Sequence, residues 1–146
     1  MKCLIFVIWT FFTFNSILAI PTSRNLLQFK SMVEYLTERS AFDFDGYGNY
    51  CGMGGKGDPV DAIDNCCKNH DQCYRDTSNL FCYTYFSTYD YSAKNNQISC
   101  SLTNTECQSG VCRCDKLAAE CFKQHLSIYN PSFKKPSIFG LFSPKE

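Results

Sequence analysis

The sequence predicts a mainly α, disulfide-rich domain with three main helices, two of them long and antiparallel, and one small two-stranded hairpin. Three observations predict it. Ten cysteines, an even number, remain once the amino-terminal segment is set aside. Apolar residues recur at helical intervals over residues 26–38. Two cysteine pairs, Cys66/Cys73 and Cys114/Cys121, repeat a spacing of two helical turns within helix-forming stretches. At 146 residues the chain is long enough for one domain with a modest core and too short for two.

The amino terminus reads as a targeting segment rather than structure. Lys2 precedes the apolar run LIFVIWTFFTF, and small residues follow near Ala19, so residues 1–19 are expected to be a secretory signal. Thr10, Thr13, Asn15 and Ser16 interrupt the run and disfavour an uncleaved membrane anchor. The next five residues, IPTSR, end in a basic residue, and we read 20–24 as a pro-segment removed to expose Asn25; a mature chain starting at Ile20 is the alternative. Removing Lys2 and Arg24 takes the 14 basic residues to 12 against 14 acidic ones, a net charge of −2. That balance points away from nucleic acid as a partner and from strong steering to acidic membranes. Of eleven cysteines, Cys3 leaves with the signal. An even set in an exported chain reads as five disulfides, which also disfavours zinc bound by free thiolates.

In chain order, Leu26, Phe29, Val33 and Leu36 give the first helix an apolar stripe, whose simplest use is core packing. Residues 43–57, DFDGYGNYCGMGGKG, are too glycine-rich for a regular element and predict a loop with unusual backbone angles. Asp58-Pro59 resembles a helix cap followed by proline at the first helical position, predicting a second helix from Pro59 to about Asp76. Asp61 and Asp64 early and Lys68 and Arg75 late suit its dipole. Residues 98–112 suggest the hairpin, with Ser109-Gly110 among its turn residues. The run CRCDKLAAECF from Cys112 predicts the third helix. The tail from about residue 130 is expected to be loosely ordered, with Lys134 and Lys135 solvated and His125 on the surface.

If the second and third helices run antiparallel, Cys66 meets Cys121 and Cys73 meets Cys114 without offset; a parallel pair would exchange those partners. We prefer the antiparallel arrangement. His70 then lies about 4.5 Å before Cys73 along the axis, and Asp115 is displaced about 1.5 Å the same way from Cys114. Their heights differ by about 3 Å, within hydrogen-bond reach if both face inward. Tyr74, four residues on from His70, shares its face. A carboxylate on a histidine fixes the ring tautomer and frees the other nitrogen to act as a base, most naturally toward water, since no serine or cysteine nucleophile is obviously placed beside it. A buried histidine satisfied by an aspartate is the structural alternative.

Asp71 is turned about 100° from His70, with Cys67 one turn back on its own face. If Cys67 is tied to Cys51, the glycine loop is drawn over Asp71. One carboxylate plus loop carbonyls is an oxygen set suited to Ca²⁺. A phosphate cradle fits less well, because the loop has no GKS/T motif.

Taken together, YGNYCGMGGKG (47–57), CCKNHDQCY (66–74) and CRCDKLAAECF (112–122), in this order, resemble the secreted phospholipase A2 family, and the resemblance runs over residues 25–122. It implies three main helices, a calcium loop, a two-stranded β-wing, and calcium-dependent hydrolysis of the sn-2 ester of glycerophospholipids. By position, His70 resembles the general base and Asp115 its orienting partner, with Tyr74 and Tyr89 supporting the pair. Asp71 matches the calcium carboxylate, and main-chain oxygens of Tyr50, Gly52 and Gly54 complete the protein ligands. Gln28 matches a residue that helps anchor the free amino terminus. An acyl-chain slot would be lined by Leu26, Phe29, Val33, Phe44, Ala118 and Phe122. Leu27, Ala41, Phe42 and Met53 would touch the lipid, although core packing explains any of these apolar residues as simply. Met53 stands where an aromatic is common in the family, which weakens the expectation of binding to zwitterionic membranes.

The family often has cysteine where this chain has Asn49, Tyr35 and Ala93. The cysteine at 49 would pair near the carboxyl terminus, which has none, and those at 35 and 93 would pair together, so bridges are lost whole. The resemblance leaves Cys51–Cys67, Cys66–Cys121, Cys73–Cys114, Cys82–Cys107 and Cys100–Cys112. Expected partners are a phospholipid membrane or micelle surface, with a protein receptor possible but not indicated, in an extracellular setting. The rival functions are a non-catalytic, toxin-like binding protein on the same scaffold and a disulfide-rich structural module.

Overall fold

The computed structural model describes residues 24–136; the signal and pro-segment readings and the last ten residues lie outside the described part, apart from Arg24, which opens the first helix. Helix α1 spans Arg24–Thr37, α2 Ala62–Thr77 and α3 Glu106–His125. Strands β1 (Tyr91–Lys94) and β2 (Gln97–Cys100) form a two-stranded antiparallel sheet. Short 3₁₀ turns cover Ala41–Asp43, Leu126–Ile128 and Pro131–Phe133. No helix among the described residues is long and apolar enough to cross a membrane.

The stripe expected on α1 buries Val33 and Leu36 with Met32, while Leu26 and Leu27 at its start stay exposed. Helix α2 starts three residues later than Asp58-Pro59 suggests. Its cap is Asp61, whose side chain accepts from the Asp64 amide at 2.9 Å. Asp58 instead belongs to the returning loop, its carbonyl accepting from the Asn49 side chain. Asp64 does lie in the first turn of α2 and Arg75 in its last, as the dipole reading expects, and Asp64 is in addition fully buried.

The hairpin lies earlier than expected. Its register pairs Tyr91 with Cys100 and Lys94 with Gln97, and the turn is Asn95-Asn96, both at positive φ. Consecutive left-handed residues suit the right-handed twist of a tight hairpin, and asparagine tolerates them. Ser109-Gly110 is helical instead. Thr105 and Gln108 form a reciprocal capping box that starts α3 at Glu106, six residues before Cys112. Glycine at 110 suits close packing: a Cβ there would stand 2.6 Å from the Thr77 methyl on α2.

Helices α2 and α3 run antiparallel, bridged by Cys66–Cys121 and Cys73–Cys114. Cys51–Cys67 ties the glycine loop to α2, Cys82–Cys107 ties the connection after α2 to α3, and Cys100–Cys112 ties the hairpin to α3. The core between the helices holds Met32, Val33, Ile63, Val111, Ala119 and Phe122 around these bridges.

The segment from 130 to 136 is not loose. Gly48 N–H donates to the Phe133 carbonyl at 3.0 Å, and Lys135 N–H donates to the Gly46 carbonyl at 2.8 Å. Lys134 and Lys135 are not merely solvated: their ammonium groups donate to Phe42 O and Asn49 Oδ1, both at 2.7 Å. Buried Tyr47 draws the segment in, because Tyr129 and Phe133 pack against its ring and its hydroxyl accepts from the Asn130 amide.

Candidate active site

Helix α2 carries His70 and α3 carries Asp115, and the two bridges between these helices set the side chains opposite one another. His70 Nε2 lies 2.7 Å from Asp115 Oδ1. The imidazole is 14 % exposed and the carboxylate 0 %, so the pair sits at the floor of an opening. With Nε2–H donating to the carboxylate, Nδ1 carries the lone pair and can take a proton.

Asp115 has two further partners. Tyr74 OH donates to Oδ1 at 2.7 Å and Tyr89 OH to Oδ2 at 2.5 Å. A buried carboxylate needs such donors, because burial strips its oxygens of water. Both phenols have their acidities suppressed, first by burial and then by the adjacent Asp115 charge. They therefore remain donors throughout the ordinary pH range.

Above the pair, the Phe29 ring stacks on His70 with centroids 4.5 Å apart and planes 20° apart. Phe29 also meets Phe122, which stacks on Phe44 at 4.5 Å. These rings form an apolar wall leading away from the imidazole. Val33 and Ala118 are buried, whereas Leu26 is 41 % exposed at the rim rather than deep in a slot. Leu27, Phe42 and Met53 are exposed, and Ala41 is half-buried.

Asp71 is half-buried beside His70, and its carboxyl is pushed up by desolvation against the opposing pull of His70 and Arg75. The glycine loop is fastened near it through Cys51–Cys67. Around the loop, the carbonyls of Tyr47, Cys51, Gly57 and Asp58 all accept hydrogen bonds. Among the described residues, those of Tyr50, Gly52 and Gly54 accept none, in common with those of Gly48, Asn49, Met53, Gly55 and Lys56. Gly52 and Gly54 have φ of +133° and +70°, which a glycine adopts without strain. Three uncommitted carbonyls and one carboxylate are hard oxygen donors, a set that fits calcium.

Two residues at this site escaped the sequence reading. Asp64 accepts from the amides of Asn49 and Tyr50 (2.8 Å each) and Val60 (3.0 Å), so it gathers both ends of the glycine loop. Asn25 is fully buried; its amide donates to the Thr84 and Ser87 carbonyls, and its oxygen lies 2.9 Å from Tyr74 OH. An aspartate three residues inside a helix and an asparagine at a helix start carry no sequence signal for such distant partners. Gln28 brackets Tyr89 on both sides, donating to its carbonyl and accepting from its amide.

A three-helix, disulfide-stapled scaffold thus holds a His–Asp pair beside a glycine loop, an arrangement able to activate a water molecule. Residues 26–134 match the family model described as phospholipase A2, and the chain belongs to that family. It is 46% identical over 99 residues to the acidic phospholipase A2 of Micrurus dumerilii, covering 67% of this chain and 85% of that one. It is 43% identical over 131 residues to the phospholipase A2 of Pithecopus azureus, covering 88% and 90%. With the basic phospholipase A2 DE-1 of Hemachatus haemachatus it shares 47% identity over 100 residues, 67% of this chain and 84% of the relative.

Proposed function

We propose that this chain is a secreted, calcium-dependent phospholipase A2 that hydrolyses the sn-2 acyl ester of glycerophospholipids, releasing a lysophospholipid and a fatty acid. The observation that carries the reading is the 2.7 Å contact between His70 Nε2 and Asp115 Oδ1, roofed by Phe29 and open to solvent on one side. His70 Nδ1 takes a proton from water as the water oxygen attacks the ester carbonyl, and returns it to the departing glycerol oxygen. Asp115 holds the ring orientation and balances the transient imidazolium, with Tyr74 and Tyr89 holding Asp115. Phe29, Phe122 and Phe44 receive the acyl chain and exclude water from the imidazole face. Calcium held by Asp71 and the oxygens of Tyr50, Gly52 and Gly54 would supply Lewis-acid stabilisation of the negative oxygens of substrate.

The expected partner is the surface of a phospholipid membrane or micelle. Exposed Leu26, Leu27, Phe42 and Met53 support that reading. So does the charge-free run 77–89, which exposes Leu80, Phe81, Tyr83, Tyr85 and Phe86; Tyr85 packs edge-on against Tyr74 of the site. Export is supported by five disulfides and the amino-terminal signal pattern.

Fatty-acid release from mixed phospholipid vesicles, with calcium or with a chelator, tests the proposal. Calcium-dependent release is expected. Release indifferent to the chelator, or none in either condition, would overturn it and favour a binding protein on this scaffold.

A further inference from the structure

We infer that residues 130–136 form a non-covalent clasp on the glycine loop, and that Asn49 and Lys135 are positioning residues for the cation site. This rests on reading the loop as a calcium site. Residues 46–49 are gripped from two sides. On the inner side, the Asp64 carboxylate binds the amides of Asn49 and Tyr50, and a Cβ at Gly48 would fall 2.2 Å from Asp64 Cγ. On the outer side, Tyr47 bridges to Lys134, Gly48 N–H donates to Phe133 O, and Lys135 N–H donates to Gly46 O. The backbone of residue 48 is thus sandwiched between a buried carboxylate and the carboxyl-terminal segment.

Asn49 joins the two grips. Its amide N–H goes to Asp64, its side-chain nitrogen donates to Asp58 O across the loop, and its side-chain oxygen accepts from Lys135 Nζ at 2.7 Å. One residue therefore ties α2, the returning arm of the loop and the tail. The next residue is Tyr50, whose carbonyl accepts no hydrogen bond and is the first of the proposed cation ligands. No covalent link ties the tail to the loop among the described residues: Cys51, the one loop cysteine, is bonded to Cys67 of α2. A clasp made only of hydrogen bonds and ring packing can open. With it open, the Tyr50 carbonyl loses its fixed direction and cation affinity falls, because the loop must then be ordered at the moment of binding.

The test compares the chain as it exists with a chain ending at Asn130, a control ending at Pro136, and the variants Lys135→Met and Lys135→Arg. Calcium affinity by titration calorimetry, amide exchange at Gly48 and Asn49, and melting in chelator are read together. Truncation at Asn130 is expected to weaken calcium binding about five- to tenfold, the scale of one or two net hydrogen bonds, and to speed exchange at Gly48. The Pro136 control should match the intact chain. Lys135→Met should give a smaller loss of affinity, restored by Lys135→Arg, whose guanidinium also donates. A lower melting temperature with unchanged calcium affinity and unchanged Gly48 exchange would show that the segment only covers Tyr47, overturning the clasp. Absence of calcium binding in the intact chain would sink the cation-site reading instead. Exchange at Gly48 would then still decide whether the tail orders the loop, and equal rates would overturn that too.

Discussion

The ring of Phe29 lies flat on the imidazole of His70, 4.5 Å between centroids, so the first residues of α1 roof the pair made by α2 and α3. The stack restrains the ring from swinging out of line with Asp115 while leaving its edge open. Phe29→Ala should therefore cut kcat as well as raise KM, by about tenfold or more together, because loosening the proposed base and wetting the pocket would both raise the barrier. Steady-state rates on vesicles and on a short-chain, water-soluble ester check this. A change in KM alone would confine Phe29 to holding the acyl chain.

His70→Gln removes the proposed base but keeps a polar side chain of similar size, and none of the proposed cation ligands is altered. Turnover should be abolished while calcium affinity stays within about twofold. Fatty-acid assays paired with calcium titration decide it. Loss of both would make His70 a folding residue.

Asp115 is fully buried and takes one hydrogen bond on Oδ2 from Tyr89 and one on Oδ1 from Tyr74, beside that from His70. Tyr89→Phe leaves Oδ2 with none of these donors, which should destabilise the fold by about 1.5–3 kcal/mol, the scale of a bond to a charged group. Denaturant unfolding measures that. Because Tyr74 and His70 still hold Oδ1, activity should fall far less than in His70→Gln. A variant as stable as the parent would mean that water replaces the phenol without loss.

The His70–Asp115 pairing was legible in the sequence because it needs only helix pitch and two matched cysteine intervals, and both survive any error in helix ends. The helix starts were less legible. Asp58-Pro59 looks like a better cap than Asp61, yet Asp64 recruits the Val60 amide and holds residues 58–61 in the loop. Ser109-Gly110 looks like a better turn than Asn95-Asn96, until Thr105 and Gln108 are recognised as a capping box that commits 106 onward to helix. The docking of residues 130–136 left no local trace, since it depends on the buried ring of Tyr47 and on main-chain partners nearly ninety residues away. Asp64 and Asn25 were missed for the same reason.

Gly48 has φ +63°, and its missing Cβ is the space that Asp64 occupies. Gly48→Ala therefore combines left-handed backbone strain of about 1–2 kcal/mol with a collision that only movement of the carboxylate can relieve. Moving it frees the amides of Asn49 and Tyr50. Calcium affinity should drop by more than that of Gly54→Ala, where positive φ is also required but nothing lies within 4 Å of the added methyl. Equal losses at the two positions would mean that strain alone matters and that Asp64 does not set the loop.

The buried phenols make a prediction for alkaline solution. Burial, reinforced by the bond to Asp61, pushes Tyr47 up to about 12. Burial and then the Asp115 charge push Tyr74 and Tyr89 higher still. In the unfolded chain a tyrosine loses its proton near 10, so above that pH the folded state binds more protons than the unfolded one. Stability is then fully present below about pH 10 and lost as pH rises through 10 to 12. Thermal melting should consequently be flat across neutral pH and descend steeply above about 10, with the phenolate absorbance of these three among the nine tyrosines appearing only as the fold is lost. Tyr47→Phe should start from a lower plateau, having lost its bonds to Asp61 and the Asn130 amide, and descend less steeply. All nine phenols titrating together near pH 10 in a still-folded protein would mean that Tyr47, Tyr74 and Tyr89 are open to water, and with them the floor of the His70–Asp115 site.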